Sequence, residues 1–456
     1  MIYFIMFFLT IETTYSNALD SKEVLKSVEQ SYPMIIEAKL KEKMARMDLR
    51  SRKGAFDLNL EGETDIRLSG YYDSKSYSAK LVKPFRSLNS KVYLGYRIQE
   101  GEVPVYEGKS ETLDNGEYLF GLELSLLRDR YMHTKMFKEV LAQLKVTESS
   151  NKLETVRMNI KHDALVVYWD WVATGKIYQI YRDLLTAAEQ RENGLKRRHQ
   201  RGDLAKIRIV ENRQYITERR SQKVKAFQKF QNRSQELSLF YRNAQGQPLV
   251  MGEESLPNIS WSKFSTNLEK DLFLDEEKLL NNPKFQNFEN QHQQIERAVD
   301  YNKNLLLPKL DLKFESSRDQ GDGPSTLVGT ENRVMLSLEI PIERNLGRGA
   351  VQREKTKAKI VRNTESFQQE VAKIKSETLK NKIVANKEII KNAIDEVGFA
   401  EKLMKAENRL FRNGSSDYFV LNLREQSLAK AKIKKLESFF NYKRSVVEIN
   451  NLYWNL

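Results

Sequence analysis

The chain has 456 residues, of which 40% are hydrophobic and 30% charged, with nine prolines and no cysteine. This composition excludes a disordered chain, disulfide bonds, cysteine metal sites and an N-terminal lipid-modified cysteine. The net charge of +14 would suit a nucleic-acid binder, but 62 acidic residues are interleaved with the 76 basic ones. Mixed signs of this kind belong to solvated helix surfaces, and no nucleic-acid partner is expected.

The chain opens with MIYFIMFFLTIETTYSNA, an apolar core ending in the small-x-small pattern Ser16-Asn17-Ala18. That is the form of a signal peptide cut after Ala18, with a buried N-terminal strand as the alternative. No Lys or Arg precedes the core, which leaves room for a start codon further upstream. Ser31-Tyr32-Pro33 then opens a helical run that ends near Gly54, and FDLNLEGETDIRLSG follows with strict alternation. Phe56, Leu58, Leu60, Ile66 and Leu68 share one face there, and Asp57, Asn59, Glu61, Glu63, Asp65 and Arg67 the other. The pattern recurs at Val92, Leu94, Tyr96 and Ile98, and again at Tyr118, Phe120, Leu122, Leu124 and Leu126. A proline-free stretch from Val105 to Gln247 predicts very long helix, interrupted at Gly202.

A linker rich in Gly and Pro, AQGQPLVMGEESLPNISW, precedes a second round of the same plan. Asn281-Asn282-Pro283 opens a helix, Leu310, Leu312 and Phe314 alternate, and Val334, Leu336, Leu338 and Ile340 alternate after them. LEIPIER from Leu338 mirrors LELSLLR from Leu122, and the final stretch from Ile342 again lacks proline. The chain thus divides into residues 1–18, a first repeat at 19–242, a linker at 243–273 and a second repeat at 274–456. Segment 76–108 has no counterpart in the second repeat and is expected to be an extra hairpin or a long external loop.

Ile383, Ile390, Val397, Met404 and Phe411 recur every seven residues, as do Ile433, Phe440, Val447 and Trp454 beyond a break at Asn413-Gly414-Ser415. Such a seam must meet another helix. A helix from Glu343 to Arg412 would be roughly 100 Å long, too long for any globular core, so a closed oligomer is expected. Strands with one apolar and one charged face suit a barrel wall between lipid and water, or a soluble sheet half packed on a core. Four good strands per chain cannot close a barrel alone, whereas three chains could.

Signs of enzyme chemistry are missing. His133, His162, His199 and His292 are scattered without metal-ligand spacing, and no phosphate-loop, nucleophile-elbow or HExxH motif occurs. GDGPSTLVG, between two strand candidates, reads as a hairpin loop, and Trp169 and Trp171 as core or seam residues. Neither a metal nor a cofactor is expected.

The whole plan resembles the TolC-type outer-membrane efflux proteins, the outer membrane factors. The resemblance rests on the two repeats, the helix starts at Tyr32-Pro33 and Asn282-Pro283, Leu127-Arg128-Asp129 after a strand, LVVYWDWVA at 165–173, and the linker prolines. A glycine-centred motif in each repeat completes it. Each motif is short, and their order over more than 400 residues carries the likeness. It implies an α+β membrane protein, a homotrimer whose 12-stranded β-barrel lies in outer-membrane lipid and continues as a tunnel of coiled-coil helices across the periplasm. The implied role is a passive exit duct for efflux or type I secretion, docked to a periplasmic adaptor and an inner-membrane pump.

By the same resemblance, Arg201, Gly202 and Asp203, with Asn413, Gly414 and Ser415, form the tips that receive the adaptor. A helix reversal with no partner is the plainer reading of both motifs. At the periplasmic mouth the family carries acidic residues six positions after each tip glycine; here those places hold Arg208 and Val420, and Asp417 follows Gly414 by three. The basic run LKRRHQR at 195–201 could meet an acidic adaptor, pair with Asp417, or be solvated. The competing reading of the whole chain is an exported coiled-coil envelope protein without a pore, which gives no reason for strands with a lipid-facing side.

Overall fold

The computed structural model describes residues 18–69, 73–101, 111–258, 276–280 and 282–456. The expected signal peptide other than Ala18, residues 259–273 of the linker and residues 102–108 of the unmatched segment lie outside them. Two compact units divide the chain. One contains Met1–Ala38, Leu153–Asn282 and Gln368–Leu456, and the other contains Lys39–Lys152 and Pro283–Phe367. Each unit draws on both halves of the sequence.

The helices are α1 (Ser21–Ser31), α2 (Pro33–Lys53), α3 (Thr134–Gln200), α4 (Ile207–Ser238), α5 (Glu276–Leu280), α6 (Pro283–Asn304), α7 (Asn345–Arg412) and α8 (Tyr418–Leu452). Both α2 and α6 begin on a proline, whose missing N–H costs nothing in the first turn. The longest, α3 and α7, run for 67 and 68 residues.

In the first unit the core forms around the aromatic stretch of α3. Trp171 is fully buried and donates its indole N–H to Ser234 of α4 at 3.1 Å, while the Tyr168 hydroxyl reaches the Leu19 carbonyl at 2.8 Å. Val24, Val28, Phe230, Leu237, Leu256 and Phe440 pack around them. Each such side chain contributes about 1.5–3 kcal/mol when fully buried. Leu256 brings part of the linker region into this core, so that stretch is packed on the unit. The seven-residue seam is visible as Ile383, Ile390 and Val397 on α7 and Phe440 and Val447 on α8, all buried.

The second unit is built on one sheet of six strands in sequence order: β1 (Asn59–Ile66), β2 (Ser74–Pro84), β3 (Lys91–Gly101), β4 (Glu117–Ser125), β5 (Lys309–Asp319) and β6 (Thr330–Glu339). Every neighbouring pair is antiparallel. Residues directly opposite each other share a face, so the register sets the chemistry of each side. Leu60 stands against Leu81, Leu81 against Leu94, Leu94 against Phe120, Leu122 against Phe314, and Phe314 against Val334. The other side is charged, with Lys91 bridged to Glu123 at 2.8 Å and Lys313 to Glu315 at 3.2 Å.

Among the described residues six strands replace the four expected of each chain. Segment 76–108 supplies most of the difference, since its described part enters β2 and β3 in the body of the sheet. In SKSYSAKLVKP the face that joins the apolar side holds Lys75, Tyr77, Ala79, Leu81 and Lys83, too mixed to stand out as alternation without its partners.

Candidate docking tips

Helix α3 ends in a tight reversal. Gly202 has φ +85°, its N–H donates to the His199 carbonyl at 2.9 Å, and the Asp203 N–H donates to Arg198 at 3.0 Å. The second turn repeats this bond for bond. Gly414 has φ +76°, its N–H donates to Phe411 at 3.2 Å, and the Ser415 N–H reaches Leu410 at 2.9 Å. Both are Schellman closures, in which a left-handed residue after the helix satisfies two orphan carbonyls. No atom lies within 4 Å of where a Cβ would stand at either glycine, so backbone conformation and not crowding calls for glycine there. Arg201, Gly202 and Asp203, and likewise Asn413, Gly414 and Ser415, are exposed.

The following helices start differently. Asp417 caps α8 by accepting the Phe419 N–H at 3.4 Å, whereas Lys206, in the N-cap position of α4, makes no side-chain cap. His199 closes the first loop by donating from Nδ1 to the Leu204 carbonyl at 2.7 Å, and Ser416 closes the second by donating to Glu407.

The two turns are joined by the residues expected at the mouth. Arg208, in the first turn of α4, donates to Asp417 at 3.0 Å and also to Glu211 at 3.0 Å. The partner of Asp417 is therefore Arg208 and not the basic run at 195–201. Val420 is half-buried, one turn further along α8. Within the basic run, Leu195 is buried, Lys196 pairs with Glu192 at 3.0 Å, and Arg198 lies over the Phe411 ring at 5.8 Å. Hydrogen bonds from Lys196 and Arg213 hold Glu192 below the usual carboxylate range. Arg191, Arg197, Arg198 and Arg201, with Leu195 and Phe411, line a groove of about 310 Å³.

Behind the turns lies a buried polar layer that sequence reasoning missed. Arg219 of α4 donates to Glu425 of α8 at 2.9 Å, to Asn422, and to the Leu184 carbonyl of α3 at 3.0 Å. Glu425 also accepts from Arg191 of α3 at 2.9 Å, and the Tyr418 hydroxyl donates to Asn212. Burial works against the charge on Arg191, but the Glu425 carboxylate overcomes it and raises the guanidinium pKa; burial pushes the Tyr418 phenol up. The available signal was spacing. Asn212 and Arg219 are seven apart, and Tyr418, Asn422 and Glu425 follow a four-three rhythm, so polar residues occupy the positions of an apolar seam.

No protein-family model matches the sequence, and no curated protein matches it. Solved structures do. The channel CusC superposes with a TM-score of 0.67 at 13% identity, covering 97% of this chain and 95% of its own. The Campylobacter jejuni CmeC outer membrane channel gives 0.65 at 12% identity over 95% and 85% of the two chains. VceC, an outer membrane protein of Vibrio cholerae, gives 0.64 at 10% identity, with 95% of each chain covered. The fold of this chain is therefore that of the TolC-type outer-membrane channels, the outer membrane factors.

Proposed function

We propose that this chain is the subunit of a homotrimeric outer-membrane channel, a passive exit duct for efflux or type I secretion. The observation that carries the reading is the two-sided sheet. Leu60 and Leu336 are 76% and 65% exposed on one face, and the opposite face carries the ion pairs Lys91–Glu123 and Lys313–Glu315. A sheet with that division is matched to lipid on one side and water on the other. The apolar side meets outer-membrane lipid, and the charged side lines the lumen. The helices carry further apolar residues exposed in the single chain, Val371, Ile374, Phe399 and Leu403 on α7, which suit burial against copies of the chain.

In this reading residues 1–18 are removed on export, and repeats 19–242 and 274–456, joined by 243–273, supply a barrel sector and a tunnel sector. The turns at Gly202 and Gly414 are the docking tips for a periplasmic adaptor, which couples the duct to an inner-membrane pump. The Arg208–Asp417 bridge ties the two tips of one subunit together at the mouth. A basic groove beside the first tip favours an adaptor surface that is acidic there.

Fractionation of expressing cells tests the assignment. The protein should partition with the outer membrane and run as a trimer that heat converts to monomer. A soluble, elongated oligomer would instead establish the coiled-coil envelope protein. Adaptor binding should weaken with ionic strength and on neutralising Arg197 and Arg201; binding that ignores both removes the basic groove from the interface.

A further inference from the structure

We infer that the two free edges of the sheet, β1 and β6, pair with each other between copies of this chain, so that the closed wall keeps all six strands of every subunit. Three sheets of six strands make eighteen, where the family resemblance implied twelve. The inference rests on the membrane-channel reading and adds the size and seam of its barrel.

Face chemistry is the first argument. If only four strands per chain formed the wall, β2 and β3 or another pair would leave it. Yet β2 and β3 carry the same division as the rest. Tyr77, Leu81, Leu94 and Tyr96 continue the apolar side through Leu60↔Leu81 and Leu94↔Phe120, and Lys80, Lys91 and Arg97 continue the charged one. Outside the wall these apolar residues would face water.

The second argument is how β3 is held. Its Tyr93 side chain crosses the charged face over Gly121 of β4, where a Cβ would collide with the ring, and donates to Glu315 of β5. Arg97 adds an ion pair to Glu117 of β4. Peeling the hairpin from β4 would break both links and leave Glu117, which is almost wholly buried, without its partner.

The edges themselves are the third. β1 and β6 have eight and ten residues, contain no proline, and are exposed almost throughout. Among the described residues no strand pairs with the outer side of either, and an unpaired edge of this kind invites another strand. Because the six strands alternate in direction, β6 of one copy runs antiparallel to β1 of the next, and the join continues the meander. The faces agree as well: Leu60 and Ile66 on β1 and Val334, Leu336 and Leu338 on β6 lie on the apolar side. On the charged side β1 presents Glu61, Glu63 and Asp65, and β6 presents Arg333 between Glu331 and Met335.

The absence of native cysteine makes disulfide trapping clean. Glu61→Cys or Glu63→Cys would be combined with Arg333→Cys or Met335→Cys, four combinations that sample three antiparallel registers, and oxidised in isolated outer membranes. A control chain would carry Gln99→Cys with Arg333→Cys, the pairing that a wall of β3 to β6 alone would create. At least one β1–β6 combination should give reducible dimers and trimers on denaturing gels, about tenfold above the control, because trapping needs Cα atoms roughly 4.4–6.8 Å apart. Trimers in the outer membrane that link through β3, or that link in none of the four combinations, overturn this inference and leave the channel reading standing. A protein missing from the outer membrane overturns the channel reading, and this inference with it.

Discussion

Gly202 and Gly414 hold positive φ in open space, so substitution there is a backbone experiment uncomplicated by neighbours. Gly414→Ala should cost about 1–2 kcal/mol of local stability, the left-handed penalty of a Cβ, and Gly414→Asn less. The readout is tryptic cleavage at Arg412, which should be faster in the alanine variant and close to native in the asparagine one. His133 offers a second test, in the other unit. Its Nδ1 accepts the Met136 N–H at 3.4 Å, capping α3, and its Nε2 donates to the Arg86 carbonyl at 3.1 Å. Burial holds this imidazole below its ordinary value of 6.5. The folded protein therefore binds fewer protons here than the unfolded chain, and stability rises with pH. The His133 contribution is complete above about pH 6.5 and is lost as pH falls from there through the lower folded value. Thermal denaturation of wild type and His133→Asn across this range should show a smaller acid loss in the variant.

At the level of elements, the buried layer behind the tips joins α3, α4 and α8 through one carboxylate and two guanidinium groups. Removing the carboxylate leaves buried cations unpaired, which costs more than the pairs contribute when complete. Glu425→Gln should therefore destabilise by about 3–5 kcal/mol, measured as a drop in the urea midpoint. Arg219→Met with Glu425→Met should recover part of the loss, since both charges then leave together. The seam between α7 and α8 is apolar by contrast. Ile390→Ala creates a cavity there and should cost about 2–5 kcal/mol, with no change in the tip turns. A polar layer next to an apolar seam also fixes register, because the Arg219–Glu425 bond at 2.9 Å would be broken by sliding either helix one turn.

For the assembled molecule the prediction concerns lipid. Leu336 and Met335 are neighbours on β6 but lie on opposite faces. Leu336→Arg places a charge in the hydrocarbon and should cost up to about 2–4 kcal/mol at mid-membrane depth, lowering the trimer recovered from outer membranes. Met335→Arg faces the lumen and should assemble normally. Equal yields of both variants would argue that the apolar face meets something other than lipid.

Alternation at Leu58 and Leu60, at Tyr118 to Leu126 and at Val334 to Ile340, together with heptads from Ile383 to Phe411, made long helices and two-faced strands legible without coordinates. These are local periodicities, and each element reports its own. The helix reversal at each tip glycine was legible for the same reason, since a left-handed residue is a property of the residue and its immediate bonds. The place of β2 in the sheet was not, because Lys75, Ala79 and Lys83 blur its alternation and only the ladders with β1 and β3 settle which side they face. Nor was the layer of Arg191, Arg219, Asn422 and Glu425, whose arginine-to-α8 bonds span more than two hundred residues and form only when three helices bring the partners together. Period and turn chemistry are written along the chain. Pairing, face and charge neutralisation depend on which distant residue arrives opposite, and tertiary structure alone decides that.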